Sequence, residues 1–226
     1  MKRSFLRELA ALLYPSRCPV CGEVIGANDS FCPECSGKLV PYNDDFSVAG
    51  SSGFTAAYEY RPEISAGIII MKRGIVGNAP FAFGGALAER IREAGFEADI
   101  IVPVPMFRKD LQKRGVNQSE LIAKELSLRL GIPVCRNAVR KVRSTTQQKG
   151  LSRQERLVNL RGAFAVNAPE LIAGKSVIVA DDVCTTGSTL AEMTDILLKA
   201  GAKKVYCACC CKTPRKDSNN SPASAK

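Results

Sequence analysis

Apolar positions along this chain change rhythm from segment to segment, and the second half alternates between strand-like and helix-like stretches. KSVIVADD (175–182) sets four consecutive apolar residues before two acids, the pattern of a strand buried on both faces of a parallel sheet. ADIIVPVP (98–105) predicts a short strand stopped by prolines. AFAV (163–166) and KVYCACCCKT (204–213) predict two more, and IPVCRNAVRKV (132–142) contains another. Between them, SELIAKELSLRLG (119–131) predicts a helix with Leu121, Ile122, Leu126, Leu128 and Leu130 as apolar positions, Ser119 as N-cap and Gly131 as stop. TLAEMTDILLKAG (189–201) predicts a second, led in by Gly187 and Ser188 and ended by Gly201, and PFAFGGALAERIREAG (80–95) a third. FTAAYEY (54–60) reads as a strand, and ISAGIIIMKRG (64–74) is apolar and then basic. This order predicts an α/β fold with a mainly parallel sheet flanked by helices.

The first residues keep a different period. Phe5, Leu6, Leu9 and Leu13 recur at helical spacing, which predicts a short amphipathic helix. Arg7 and Glu8 interrupt the apolar stretch and no small-residue cleavage site follows, so a signal peptide is rejected. No apolar run is long enough to span a membrane. PYNDDFSVAGSSG (41–53) is polar and turn-rich and reads as a linker. PRKDSNNSPASAK (214–226) reads as a disordered tail. These segments divide the chain into an N-terminal module (1–45), a main domain (46–213) and the tail (214–226), within the 226 residues available.

Cysteine usage adds a metal. Cys18-x-x-Cys21 and Cys32-x-x-Cys35 are two knuckles ten residues apart, and each can aim two thiolates at one tetrahedral ion. So small a segment has little core of its own, and zinc would supply its folding free energy. The set is closed, which makes the site structural; disulfides or free thiols are the alternatives. Ten cysteines without an export signal predict a reducing cytoplasm. On the last strand, Cys207, Cys209 and Cys211 would face one side and Cys210 the other, so they read as small buried hydrophobes. Cys135 also reads as core, and Cys184 lies in the loop considered next.

Charge is localised. Residues 106–161 hold 14 Lys/Arg against 4 acids, which equals the whole net charge of +10. Such a block predicts a phosphate-bearing or nucleic-acid partner, against the plainer reading of a solvated basic face. Only Phe107 and Phe164 accompany it, which argues against a stacking platform for single strands.

The acids at 181–182 carry the chemistry. Ligands of open parallel sheets bind at the carboxyl ends of the strands, where Asp181 and Asp182 stand. Cys184-Thr185-Thr186-Gly187-Ser188-Thr189 follows, with hydroxyls, a permissive glycine and backbone N–H groups at a helix start. Those groups suit a phosphate. The acids would repel that phosphate, so they must meet hydroxyls or a bridging Mg²⁺ on the same ligand. A sugar phosphate meets both demands. The Walker and dinucleotide glycine spacings are absent.

VIVADDVCTTGST resembles the phosphoribosyl pyrophosphate (PRPP) signature of type I phosphoribosyltransferases. With the paired knuckles, VPVP followed by RGVNQ (114–118), and QQKGLSRQERLVNLRGAF (147–164), the chain resembles the ComF family of competence proteins over about residues 9–213. The resemblance implies a type I phosphoribosyltransferase-like domain after a small four-cysteine zinc module. It implies that Asp181 and Asp182 bind the ribose hydroxyls of PRPP, with Mg²⁺, and that Thr185, Thr186, Gly187, Ser188 and Thr189 hold its 5-phosphate. Arg108, Arg114, Gly115, Asn117 and Gln118 would lie by the pyrophosphate. The basic segment 141–156 would form a hood, with Lys149 and Arg153 on phosphate.

Two positions depart from the family pattern. Val116 stands where an aromatic is common, and another is missing near Arg73. These departures affect packing or stacking, not the acid pair. Catalytic residues stay unassigned, because the chain has no His and carries Thr185 where some relatives carry an acid. Two functions are implied. One is phosphoribosyl transfer to an unidentified acceptor, in DNA uptake or transformation. The other is a non-catalytic adaptor that keeps the pocket and engages single-stranded DNA or competence proteins.

Overall fold

The computed structural model describes residues 2–72, 77–144, 160 and 162–214. Its elements run in the order α1 (Lys2–Ala11), α2 (Pro33–Lys38), β1 (Gly53–Glu59), α3 (Pro62–Lys72), α4 (Ala79–Glu93), β2 (Ile100–Pro103), α5 (Arg108–Arg114), α6 (Gln118–Leu130), β3 (Val139–Lys141), β4 (Phe164–Val166), β5 (Ser176–Cys184), α7 (Ser188–Lys199) and β6 (Lys204–Lys212).

Four strands form one sheet in the order β1-β6-β5-β2, and every neighbouring pair is parallel. Central β5 puts Val177, Ile178, Val179 and Ala180 wholly out of water, as an all-apolar strand covered on both faces requires. Val177 and Val179 pack with Leu190, Met193 and Leu197 of α7. Ile178 and Ala180 pack with α3, α4 and α6 through Ile68, Phe83, Leu87, Ile122 and Leu126. The stretch 64–72, apolar then basic, is thus the helix α3 in this second layer. Pro103 is tolerated because β2 is an edge strand of this sheet. β3 and β4 form a separate antiparallel pair, Arg140 opposite Ala165.

The terminal cysteines are buried, as expected, but their facing differs from simple alternation. Cys207 and Cys209 belong to the α7 layer, whereas Cys211 shares the α3–α4 layer with Cys210. Burial pushes the Cys207 thiol up to about 12 and raises Cys209, Cys210 and Cys211 as well. They behave as small hydrophobes.

Three further local readings change. The stretch 41–53 has no regular element, yet it is not loose: Tyr42 and Val48 are buried. The Tyr42 N–H donates to Ala57 O at 3.1 Å and the Glu59 N–H to Val40 O at 2.9 Å, so this segment covers the outer edge of β1. In α1 the apolar stripe faces solvent, with Phe5 65% and Leu9 55% exposed. Arg7 makes the attachment instead: its guanidinium lies 3.6 Å from the Phe81 ring centre and donates to Asn78 Oδ1 at 2.7 Å. Around the cysteines, Phe31 meets Tyr58 and Phe83 edge-on at 6.0 and 5.4 Å, seating the module on the sheet layer.

The cap of α6 is Asn117, not Ser119. Asn117 Oδ1 accepts from the Ser119 N–H at 3.1 Å, and its Nδ2 donates to Val104 O at 3.1 Å. One amide therefore joins the start of α6 to the end of β2. Asn117→Ala removes both bonds inside a buried site and should cost about 1–3 kcal/mol, measured by urea unfolding. An unchanged midpoint would mean that the cap contributes nothing.

Candidate functional site

A cavity of about 250 Å³ opens at the carboxyl end of the sheet, lined by Asp181 and Asp182 together with residues of α3, α5, α6 and β3. β5 does not stop before the acids; it carries both and continues to Cys184. Asp181 Oδ1 accepts from Ser119 Oγ at 2.8 Å and from the Asp182 N–H at 2.9 Å. Asp182 Oδ1 accepts from the Val183 N–H at 2.8 Å. Its second oxygen is buried and makes no hydrogen bond, and the Lys72 ammonium lies 3.1 Å away as its ion-pair partner. An acceptor held in this way is ready for a ligand that brings donors or a cation.

Burial, and then the Asp182 carboxylate beside it, pushes the Asp181 carboxyl up to about 7, against the lowering pull of Ser119, the Asp182 N–H and Lys72. A carboxyl raised in this way by burial and a neighbouring charge is a mark of functional sites. Lys141 also lines the cavity; burial pushes its ammonium down, while Asp110 and Asp181 pull it up.

Of the residues singled out from sequence, Asp181, Asp182, Thr189, Arg114, Asn117 and Gln118 meet around this cavity. Asn117 and Gln118 also serve the framework, Gln118 Nε2 donating to Met71 O at 3.3 Å. Thr185, Thr186 and Gly187 form the bend after β5 and Ser188 opens α7, beside the cavity but not on its wall. Thr186 Oγ1 and Ser188 Oγ are hydrogen-bonded at 2.8 Å across that bend. Arg108 and Gly115 stand at the two ends of the short helix α5 and do not line the wall. Lys149 and Arg153 lie outside the described residues.

Lys72, Asp110, Ser119 and Lys141 line the site without having been singled out. Only the basic character of 72–73 and 141–143 hinted at two of them; Ser119 was assigned to a cap instead.

In the N-terminal module the four thiols of Cys18, Cys21, Cys32 and Cys35 lie within 4.8 Å of one another. Tetrahedral zinc with bonds near 2.3 Å sets sulfurs about 3.8 Å apart, so the set fits the ion with small adjustment. The Cys35 N–H donates to Cys32 Sγ at 3.4 Å, the local bond expected of a knuckle that stabilises thiolate. Burial opposes ionisation of Cys18, but N–H groups of Cys32, Cys21 and Val20 outweigh it and lower the thiol to about 7.

A family model of the phosphoribosyl transferase domain matches residues 78–222, and one of the double zinc ribbon domain matches residues 9–46. The protein is therefore of the class that joins a zinc ribbon to a type I phosphoribosyltransferase domain. The DNA utilization protein YhgH of Salmonella typhi is 32% identical over 203 residues, 88% of this chain and 85% of that one. Competence protein F of Haemophilus influenzae is 40% identical over 109 residues, 47% of each chain. The chain belongs to the ComF family, which holds both. Among solved structures, the glutamine PRPP amidotransferase of Bacillus subtilis shares 23% identity at a TM-score of 0.42, over 59% of this chain and 27% of that one. The purine phosphoribosyltransferase of Pyrococcus horikoshii shares 24% at 0.37, over 60% and 74%. The ribbon match and the four-cysteine cluster together support structural zinc. Among the described residues, no helix is long and apolar enough to cross a membrane.

Two outcomes are expected. Cys18→Ser or Cys32→Ser should lose zinc and destabilise the module, read by metal analysis and thermal unfolding; full metal retention would refute the four-thiol site. The raised carboxyl of Asp181 means that the native chain holds more protons than the unfolded chain between about pH 4 and 7. Stability therefore falls as pH rises through that window. Asp181→Asn removes this loss, so it should stabilise the protein at pH 8 by on the order of 3 kcal/mol and by far less near pH 4. An equal effect at both pH values would contradict the assignment.

Proposed function

We propose that the protein binds PRPP, or a closely related 5-phosphorylated ribose, with Mg²⁺ in the cavity at the end of β5, and acts in DNA uptake or utilization. The observation that carries this reading is the half-buried acid pair, one buried oxygen of which lacks a hydrogen bond, shortly before the Thr185–Thr189 bend. The carboxylates of Asp181 and Asp182 would take the ribose hydroxyls. Thr185, Thr186, Gly187, Ser188 and Thr189 would take the 5-phosphate at the start of α7. Arg114, Lys72 and Lys141 face the same cavity and would balance the pyrophosphate, together with Arg108, Gly115, Asn117 and Gln118 around α5 and the hood residues Lys149 and Arg153.

Asp181 and Asp182 would hold Mg²⁺, which when bound would supply Lewis-acid stabilisation of the departing pyrophosphate charge. In a transfer reaction the C1–O bond to pyrophosphate breaks with oxocarbenium-like character, and the acceptor's nucleophile forms the new bond at C1. The cations Lys72, Arg114 and Lys141 are placed to favour that separation of charge. No residue is assigned as base, so the acceptor must bring its own acidity or lose its proton to solvent. None of the ten cysteines is in a disulfide, which suits a reducing cytoplasm.

A second reading is a non-catalytic adaptor for single-stranded DNA or for other competence proteins. The basic rim of the cavity and the relatives' names favour it. Calorimetric titration of PRPP with Mg²⁺ separates the two. Saturable binding, abolished in the Asp181→Asn/Asp182→Asn double variant at unchanged zinc content, is the expected result. Binding that survives the double change would overturn the site. No binding in the parent protein, with steeply salt-dependent binding of single-stranded DNA, would establish the adaptor instead.

A further inference from the structure

We infer that Lys212 is a positioning residue for the anion loop: from beneath, it aims the Thr186 N–H at the 5-phosphate of a phosphorylated ribose and supplies that phosphate with a buried counter-charge. The inference rests on the phosphate reading of the 185–189 bend.

Lys212 closes β6, where its backbone is paired with Cys184 of β5 and Glu59 of β1. Its side chain is only 4% exposed. Nζ donates to Thr185 O at 2.9 Å and to Thr213 O at 2.7 Å, and it sits 4.4 Å from the centre of the Phe46 ring. Among the described residues, no ion pair joins it to a carboxylate. Buried cations are ordinarily paired with anions, because an unbalanced charge in low dielectric is costly. Two carbonyl dipoles and one ring face solvate this ammonium without neutralising it. An ammonium has three donors, and the two carbonyls take two.

The Thr185 bond has a directional consequence. No peptide bond in the described chain is cis. In a planar trans peptide the C=O and the following N–H point in opposite directions. Drawing the Thr185 carbonyl down onto Lys212 therefore turns the Thr186 N–H up, away from the lysine, where α7 begins. Gly187 completes the bend at φ +81°, and a Cβ there would come within 2.8 Å of the Phe46 ring. Phe46 thus packs against the underside of the loop and against the lysine together, and leaves no room for a side chain between them. The bend is held from below; the Ser188 N–H is turned onto Thr186 Oγ1 at 3.4 Å, and a helix start leaves further N–H groups for a ligand. A phosphate ester on that side would find oriented donors and the missing counter-ion.

The test compares three probes by calorimetry on the full chain: PRPP with Mg²⁺, ribose 5-phosphate, and pyrophosphate with Mg²⁺. Lys212→Met should weaken the first two about tenfold or more and leave pyrophosphate within about twofold, since only the former carry the 5-phosphate. Lys212→Arg, which keeps the charge, should recover most of the loss. The Thr186 amide resonance should move on adding ribose 5-phosphate to the parent protein and stay put in Lys212→Met. Equal losses for all three probes, or none, would overturn the inference. Should Lys212→Met fail to fold, Phe46→Leu must give the same phosphate-selective loss, and equal affinity for all probes would overturn it. If the parent protein binds none of the probes, the proposed function fails on its own account. The loop is then read by hydrogen exchange: Lys212→Met must speed exchange about tenfold or more at Ala191, whose N–H bonds to Gly187 O of the bend at 2.9 Å, and unchanged exchange would refute the inference.

Discussion

Two carboxylates set side by side in a half-buried position at the end of the central strand are the constraint around which the rest of the molecule is arranged. Burying even one ionised carboxylate is costly, and placing a second beside it adds repulsion. The protein meets that cost with groups drawn from distant parts of the chain. Ser119 reaches Asp181 from the start of α6, Lys72 reaches Asp182 from the end of α3, and the backbone N–H groups of Asp182 and Val183 supply the rest. Each of these donors depends on the helix that carries it being docked against the sheet. The packed layer of Ile68, Phe83, Ile122 and Leu126 thus fixes the site as well as the core. Functional sites are commonly built at the expense of local stability, and this one follows that pattern.

The zinc module stands on the same layer. Phe31, four residues before Cys35, enters between Tyr58 and Phe83, so the ribbon shares ring contacts with the core of the phosphoribosyltransferase domain. Asn78 Nδ2 donates to Asp29 O at 2.9 Å, and its Oδ1 receives Arg7. One amide at the head of α4 therefore ties both α1 and the ribbon loop to the domain. The ion orders the knuckles, and the rings and Asn78 give the ordered knuckles a fixed seat.

What the sequence made legible followed from period and spacing. The apolar run before Asp181, the helix over 119–131 and the paired Cys-x-x-Cys turns each carry a local signal strong enough to survive tertiary context, and each is present in the fold. What stayed hidden depends on long-range approach. Nothing local distinguishes Ser119 as a donor to Asp181 from Ser119 as a cap, because both uses need a hydroxyl at a helix start. Lys72 is an ordinary helix-end lysine until the sheet brings Asp182 to it. The stripe on α1 illustrates the opposite error. Its apolar period is real, yet the helix is fastened through Arg7. The polar stretch 41–53 misled for a related reason: composition marks turns, but it does not reveal that the buried Tyr42 and Val48 anchor them.

That polar stretch also bears on how separable the two modules are. Residues 40–42 lie along β1, whose far side would otherwise present unpaired N–H and C=O groups. Four residues on, Phe46 lies under the loop that follows β5. The chain between ribbon and domain is thus both a seal and a wedge, and it belongs structurally to the domain it introduces. An excised domain beginning after residue 46 would carry a raw sheet margin, prone to sticking to its own kind, and a bend at 185–188 without its floor. In this architecture the junction between modules is a poor place to cut, and an evolutionary swap of one ribbon for another would have to leave these seven residues behind.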